Sequence, residues 1–195
     1  MKKKDFLNKR FSSKLELEKR FRELERLNPG QNEIWRGKNE EQVLHFDAKT
    51  RLIIVGTVIP SNVEFFYTGH NQLIYGYIDQ AHPGSETNLK QLAKEGDVSS
   101  LKAKLHKLNI LFLDIIDWCC SKNGDSSDRA IKGYTLDENA LLELAKRKTS
   151  NKSLLIVAAT RCADWILEDF GIKHKYHQLM NGGPKAPWLN ILKNY

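Results

Sequence analysis

Three cysteines in 195 residues, two of them adjacent as Cys119-Cys120 and the third alone at Cys162, cannot make a disulfide framework or a zinc knuckle. Reduced core thiols are the expectation. No apolar run reaches the length of a membrane span. Met1-Lys2-Lys3-Lys4 is followed by Asp5 and further lysine rather than an apolar stretch, so no secretory signal is expected and a cytoplasmic location is. The chain also lacks a P-loop, a spaced-glycine dinucleotide fingerprint and a G-x-S-x-G nucleophile elbow, although Gly124-Asp125-Ser126 occurs. No cofactor is expected. His174 and His177 stand three apart with no third ligand in view, which argues against a metal. There is no internal repeat, no low-complexity tract and no linker long enough to split the chain.

What is present fits one domain, because a chain of about 200 residues buries roughly 70% of its unfolded surface without a staple. The net charge of +7 is uneven. Residues 1–26 carry ten Lys/Arg against five Asp/Glu, while the rest of the chain carries 21 against 19. Any reading of the basic balance as nucleic-acid binding therefore leans on the N-terminal segment, where a solvated helix face is the competing account. That segment, residues 1–30, reads as a basic helical extension on a domain of residues 31–195. Ser13-Lys14-Leu15-Glu16 is a capping box, Leu17, Phe21 and Leu24 form an apolar stripe, and Asn28-Pro29-Gly30 stops the helix. Glu16–Arg20 and Glu18–Arg22 have the spacing of supporting ion pairs.

Residues 31–50 are polar and irregular. Leu52–Val55, Ile110–Ile116 and Leu154–Ala158 are short apolar runs suited to buried parallel strands, and Lys175–Leu179 is a weaker fourth. Helical patterns lie between them, at about 70–81, 86–107 with a break near Gly96, 136–148 and 161–170. Alternation of this kind predicts an α/β fold, a three-layer α/β/α arrangement with a short, mostly four-stranded parallel sheet.

Functional candidates cluster after the first of those strands, where open α/β folds bind ligands. Gly56-Thr57 leads to Pro60, then Phe65-Phe66-Tyr67, then His70-Asn71. An aromatic can stack on a base, contributing about 1–3 kcal/mol, and an amide can pair with a base edge or hold water. The competing structural readings are a plain turn, core aromatics and a helix N-cap at Asn71. Later, Asn181-Gly182-Gly183-Pro184-Lys185 opens a final helix, where close backbone approach and a lysine favour a phosphate.

Three segments together resemble the uracil-DNA glycosylase superfamily, nearest its hypoxanthine-DNA and mismatch-specific uracil glycosylase branch. They are Gly56-Thr57…Pro60 with Phe66-Tyr67, Asn71 and Leu73-Ile74-Tyr75; Leu113-Asp114-Ile115-Ile116; and Gly124 through Ile131. The resemblance implies hydrolysis of the N-glycosidic bond of a flipped, deaminated base, uracil or hypoxanthine, by a monomeric, metal-free enzyme on DNA. It implies base contacts from Gly56, Thr57, Pro60, Phe66 and Tyr67, and catalytic amides at Asn71 and Asn181. Lys185 and the N-terminal Lys3, Lys4 and Arg10 are expected on the DNA backbone. The chain departs from the pattern in having Val58-Ile59, not an acid or amide, before Pro60, and no histidine in its late motif. A non-catalytic nucleic-acid- or nucleotide-binding member of the fold, and a small-molecule or nucleotide hydrolase on an open α/β scaffold, are the alternatives.

Overall fold

A computed structural model of the chain describes residues 1–37, 48–59, 61, 63–65, 73–84, 88–125, 127, 129–179 and 185–195. Two sheets form the frame. The first is parallel and built from β2 (Leu52–Gly56), β3 (Ile110–Asp114), β6 (Leu155–Ala158) and the two-residue β7 (Lys175–Tyr176), in the order β3-β2-β6-β7. The second is antiparallel, with β1 (Asn32–Arg36), β4 (Ile116–Lys122) and β5 (Ile131–Leu136) in the order β1-β4-β5.

Period-two alternation sorts the parallel strands onto two cores. Ile53, Val55, Leu113, Ile156 and Ala158 share one core with α6 (Glu138–Ser150) and α7 (Arg161–Asp169). Leu52, Ile54, Phe112 and Val157 share the other with α3 (Leu73–Ala81), α4 (Leu89–Glu95), α5 (Val98–Lys107) and α8 (Lys185–Asn194). Every residue of β2 is buried, as befits a central strand whose two faces both enter a core. The break in the long helical pattern is where it was expected. Gly96 caps α4 with φ of 75°, a left-handed conformation that glycine adopts without penalty, and Asp97 caps α5 by accepting the Ser100 N–H.

The apolar run from Ile110 to Ile116 is two strands, not one. β3 ends at Asp114, Ile115 accepts the Asp137 N–H, and Ile116 begins β4 in the other sheet. The stretch read as irregular contains β1, which pairs with β4 from Asn32↔Lys122 to Arg36↔Trp118.

At the N terminus, α1 (Lys3–Leu7) and α2 (Lys14–Leu27) pack onto this frame. Phe6 is fully buried and stacks on Tyr134 with ring centroids 4.8 Å apart. Leu17 is also fully buried. Burying two such side chains stabilises the seating by roughly 2 kcal/mol apiece. Ser13 caps α2 by accepting the Glu16 N–H, but Glu16 turns to the Ser12 N–H and hydroxyl rather than back to Ser13. The expected i,i+4 pairs also differ, since Arg20 pairs with Glu23 and Glu18 with Lys14. Among the described residues no helix is long and apolar enough to cross a membrane.

Candidate functional site

In the parallel sheet the chain passes from β2 to β3 on one side, then returns to β6 on the other side of β2. This reversal makes the carboxyl ends of β2 and β6 the switch point, where open α/β sheets leave a crevice. Gly56 and Thr57 stand on one side of it, Ala159 and Thr160 on the other. The Thr57 and Thr160 hydroxyls are hydrogen-bonded at 2.5 Å. Thr160 Oγ1 also accepts the Ala163 N–H and so caps α7, while the Thr57 carbonyl accepts the Ile116 N–H. Both sides of the crevice are thereby pinned to rigid elements.

Two titratable groups share this edge. Asp114 ends β3 in register with Gly56 and is 1% exposed. Burial pushes its carboxyl up to about 7, so it holds its proton far above the usual carboxylate range. His177 follows β7, and its backbone N–H donates to the Ala158 carbonyl at the end of β6. Burial, then the Lys175 ammonium, lowers the His177 pKa, which favours the neutral imidazole. Its ring stands edge-on to Trp188, with centroids 6.4 Å apart. The Trp188 indole N–H is itself buried and has no acceptor among the described residues.

Of the residues expected at the site, Gly56 and Thr57 lie at the switch point. Pro60, Phe66, Tyr67, Asn71 and Asn181 fall outside the described residues. Phe65, next to Phe66, is 4% exposed, meets Phe112 edge-on and has the Lys102 ammonium 5.3 Å from its ring centre. Val58 and Ile59 are buried, and the Ile59 carbonyl accepts the Trp35 indole N–H. Lys185 is exposed at the start of α8.

The N-terminal cations are elsewhere. Lys3 pairs with Glu168 at 2.7 Å, and Arg10 pairs with Glu138 at 2.9 Å while lying over the Phe170 ring. Glu168 sits about 12 Å along α7 from Thr160, at the end remote from the crevice. Lys4 is exposed on the same short helix as Lys3. The structure does not bring Lys3 and Arg10 to Thr57. A hollow of about 340 Å³ opens at the opposite, amino edge of the sheet, floored by Ile53 and Leu154 and rimmed by Lys146 and Arg147. Among the described residues no group of three ligating side chains could hold a metal ion.

Sequence reading passed over Thr160 and weighed His177 only as a metal ligand. Thr160 carried a signal, a hydroxyl residue between an apolar run and a helix, which marks an N-cap. His177 carried little, because the strand before it is only two residues long. Comparison with protein-family models, with curated proteins and with solved structures finds no match for this chain.

Proposed function

We propose that this protein is a DNA base-excision glycosylase-like hydrolase, with a three-layer uracil-DNA-glycosylase-like core, acting on a flipped uracil or hypoxanthine. The observation that supports the reading is the convergence of Gly56-Thr57, Asp114 and His177 from three strands on one carboxyl edge. In the reaction the C1′–N bond breaks with its electrons leaving on the base, and a water oxygen bonds C1′ and gives up a proton. Negative charge therefore develops on the base, where preorganised N–H donors are most effective. A neutral His177 imidazole retains one such donor, and the Gly56 and Thr57 backbone lies at the same edge. On this reading Asn71 holds the water and Asn181 assists. Phe66 stacks on the base, with Pro60 and Tyr67 shaping its pocket, and Lys185 meets a phosphate. The partner is DNA, the protein acts as a cytoplasmic monomer, and neither cofactor nor metal takes part.

A second reading, a non-catalytic nucleic-acid- or nucleotide-binding relative, draws on a specific observation. Val58 and Ile59 are packed inward where an acid or amide would be positioned to activate water. Positioning of the water would then rest on Asn71 and Asn181. The deciding experiment uses labelled single- and double-stranded oligonucleotides holding one uracil, hypoxanthine or xanthine, with alkaline strand scission as the readout. Base release that is lost in Asn71→Ala and reduced 10²-fold or more in His177→Ala supports the glycosylase. No release across the panel, with DNA binding retained, replaces it with the binding protein.

A further inference from the structure

The outward face of α2 carries cations that the protein leaves uncompensated. Glu16 accepts from Ser12, Glu18 pairs with Lys14, Glu23 pairs with Arg20, and Glu25 accepts the Gly30 and Asn32 N–H groups. All four carboxylates of the helix are thus engaged. Lys19, Arg22 and Arg26 are exposed, and among the described residues they make no hydrogen bond or ion pair. Lys19 acts on Glu16 only through its field. Positions 19, 22 and 26 recur at i, i+3 and i+7, so they form one stripe directly opposite the buried Leu17.

We infer that this stripe is a docking surface for the phosphate backbone of nucleic acid. The three cations span about 10 Å of helix axis, little more than one Debye length at physiological salt, so their fields reinforce one another. A line of like charge whose members make no direct ion pair among the described residues fits a partner that is itself a line of charge. An anionic membrane fits less well, because interfacial helices insert a continuous apolar face, whereas Leu17 of α2 is buried and its exposed leucines, Leu15 and Leu27, stand twelve positions apart. The stripe also points somewhere. Beyond its Arg26 end, the Gln31 carbonyl accepts the Asn123 N–H at the tip of the β4–β5 hairpin. The adjoining Gly124 lies against the Ser61 hydroxyl, in the segment that leaves Gly56-Thr57. The far end of α2 and the segment leaving β2 are thus joined through the β4–β5 connection, where the Glu33 carboxylate also lies. The inference rests on the proposed function only in sharing its polyanionic partner.

The test is fluorescence anisotropy of a labelled 30-base-pair duplex with the full chain, titrated at several KCl concentrations. Each neutralised phosphate contributes about 0.9 to the slope of log K against log salt. The triple variant Lys19→Gln, Arg22→Gln, Arg26→Gln should therefore lower the slope by 2 to 3 while leaving the melting curve in place. A control that removes the same charge elsewhere, Lys94→Gln with Lys107→Gln and Lys193→Gln, should keep the wild-type slope. Equal loss in both variants, or none in either, overturns the stripe. So does binding of the wild type to phosphatidylserine vesicles but not to duplex. Base release by wild type with an unchanged slope in the stripe variant would sink this inference and spare the glycosylase; a stripe-dependent slope without base release would do the reverse.

Discussion

His174 and Asp164 join α7 to the segment leading into β7 through a hydrogen bond largely shielded from solvent. His174 Nε2 lies 3.0 Å from Asp164 Oδ1, and Nδ1 lies 2.7 Å from the Ile172 carbonyl oxygen. Removing one partner leaves the other polar group unpaired in a site only 7% to 17% exposed. His174→Ala and Asp164→Asn should each lower unfolding free energy by about 2 kcal/mol, with a strongly non-additive double variant. Urea denaturation of the four proteins checks this, and additive losses would remove the pair as a unit.

Asp114 gives stability a pH dependence opposite to that of a salt-bridged carboxylate. Its carboxyl ionises near 3.8 in an unfolded chain and, through burial, near 7 in the fold. Between those values the folded state holds a proton that the unfolded state has lost. Its contribution is full below about pH 4, falls as pH rises, and levels off above about 7, at a slope approaching 1.4 kcal/mol per unit. Asp114→Asn should flatten this part of the profile, so the variant gains on the wild type between pH 5 and 8. A constant difference between the two across that range would refute the assignment.

The parts of the fold that could be read from sequence are those where one local pattern decides. Leu52–Val55, Ile110–Leu113 and Leu155–Ala158 are uniformly apolar because side chains on both faces of their sheet enter a core, and no other environment selects that pattern so strongly. The antiparallel sheet was hidden for the converse reason. Asn32–Arg36 is short and half-polar, and β4 pairs with β5 through two register shifts that break period-two alternation. The candidate site was legible only where a strand end announces it, at Gly56-Thr57. His177 and Thr160 reach the same edge through sheet order, a property of pairing between distant segments that no local window contains.

Tyr134 is fully buried in the middle of the core, stacked on Phe6, and its hydroxyl has no hydrogen-bond partner among the described residues. An unpaired buried hydroxyl has lost its water and gained nothing in return. Tyr134→Phe keeps the ring stack and deletes that cost. Calorimetry should give a melting temperature equal to or a few degrees above wild type, corresponding to about 1 kcal/mol. A clear drop would mean that the hydroxyl is satisfied, for instance by an internal water.

Two glycines should respond to alanine with opposite signs. Gly37 ends β1 against β4, where its N–H donates to the Asp117 carbonyl, and a Cβ there would collide with the Ile116 carbonyl oxygen. That neighbour is backbone in a paired strand and cannot move without breaking the ladder, so Gly37→Ala should cost 2 kcal/mol or more, on the order of an overpacked core site. Gly76 lies inside α3, and a Cβ there would meet nothing closer than the Lys90 side chain at 3.4 Å. The methyl group restricts the unfolded chain and improves helix propensity, so Gly76→Ala should stabilise by about 0.5–1 kcal/mol. Paired urea titrations measure both. Like signs would mean that the approach of Gly37 to β4 is looser than the Asp117 hydrogen bond implies, because backbone strain separates the two sites and propensity alone would move them together.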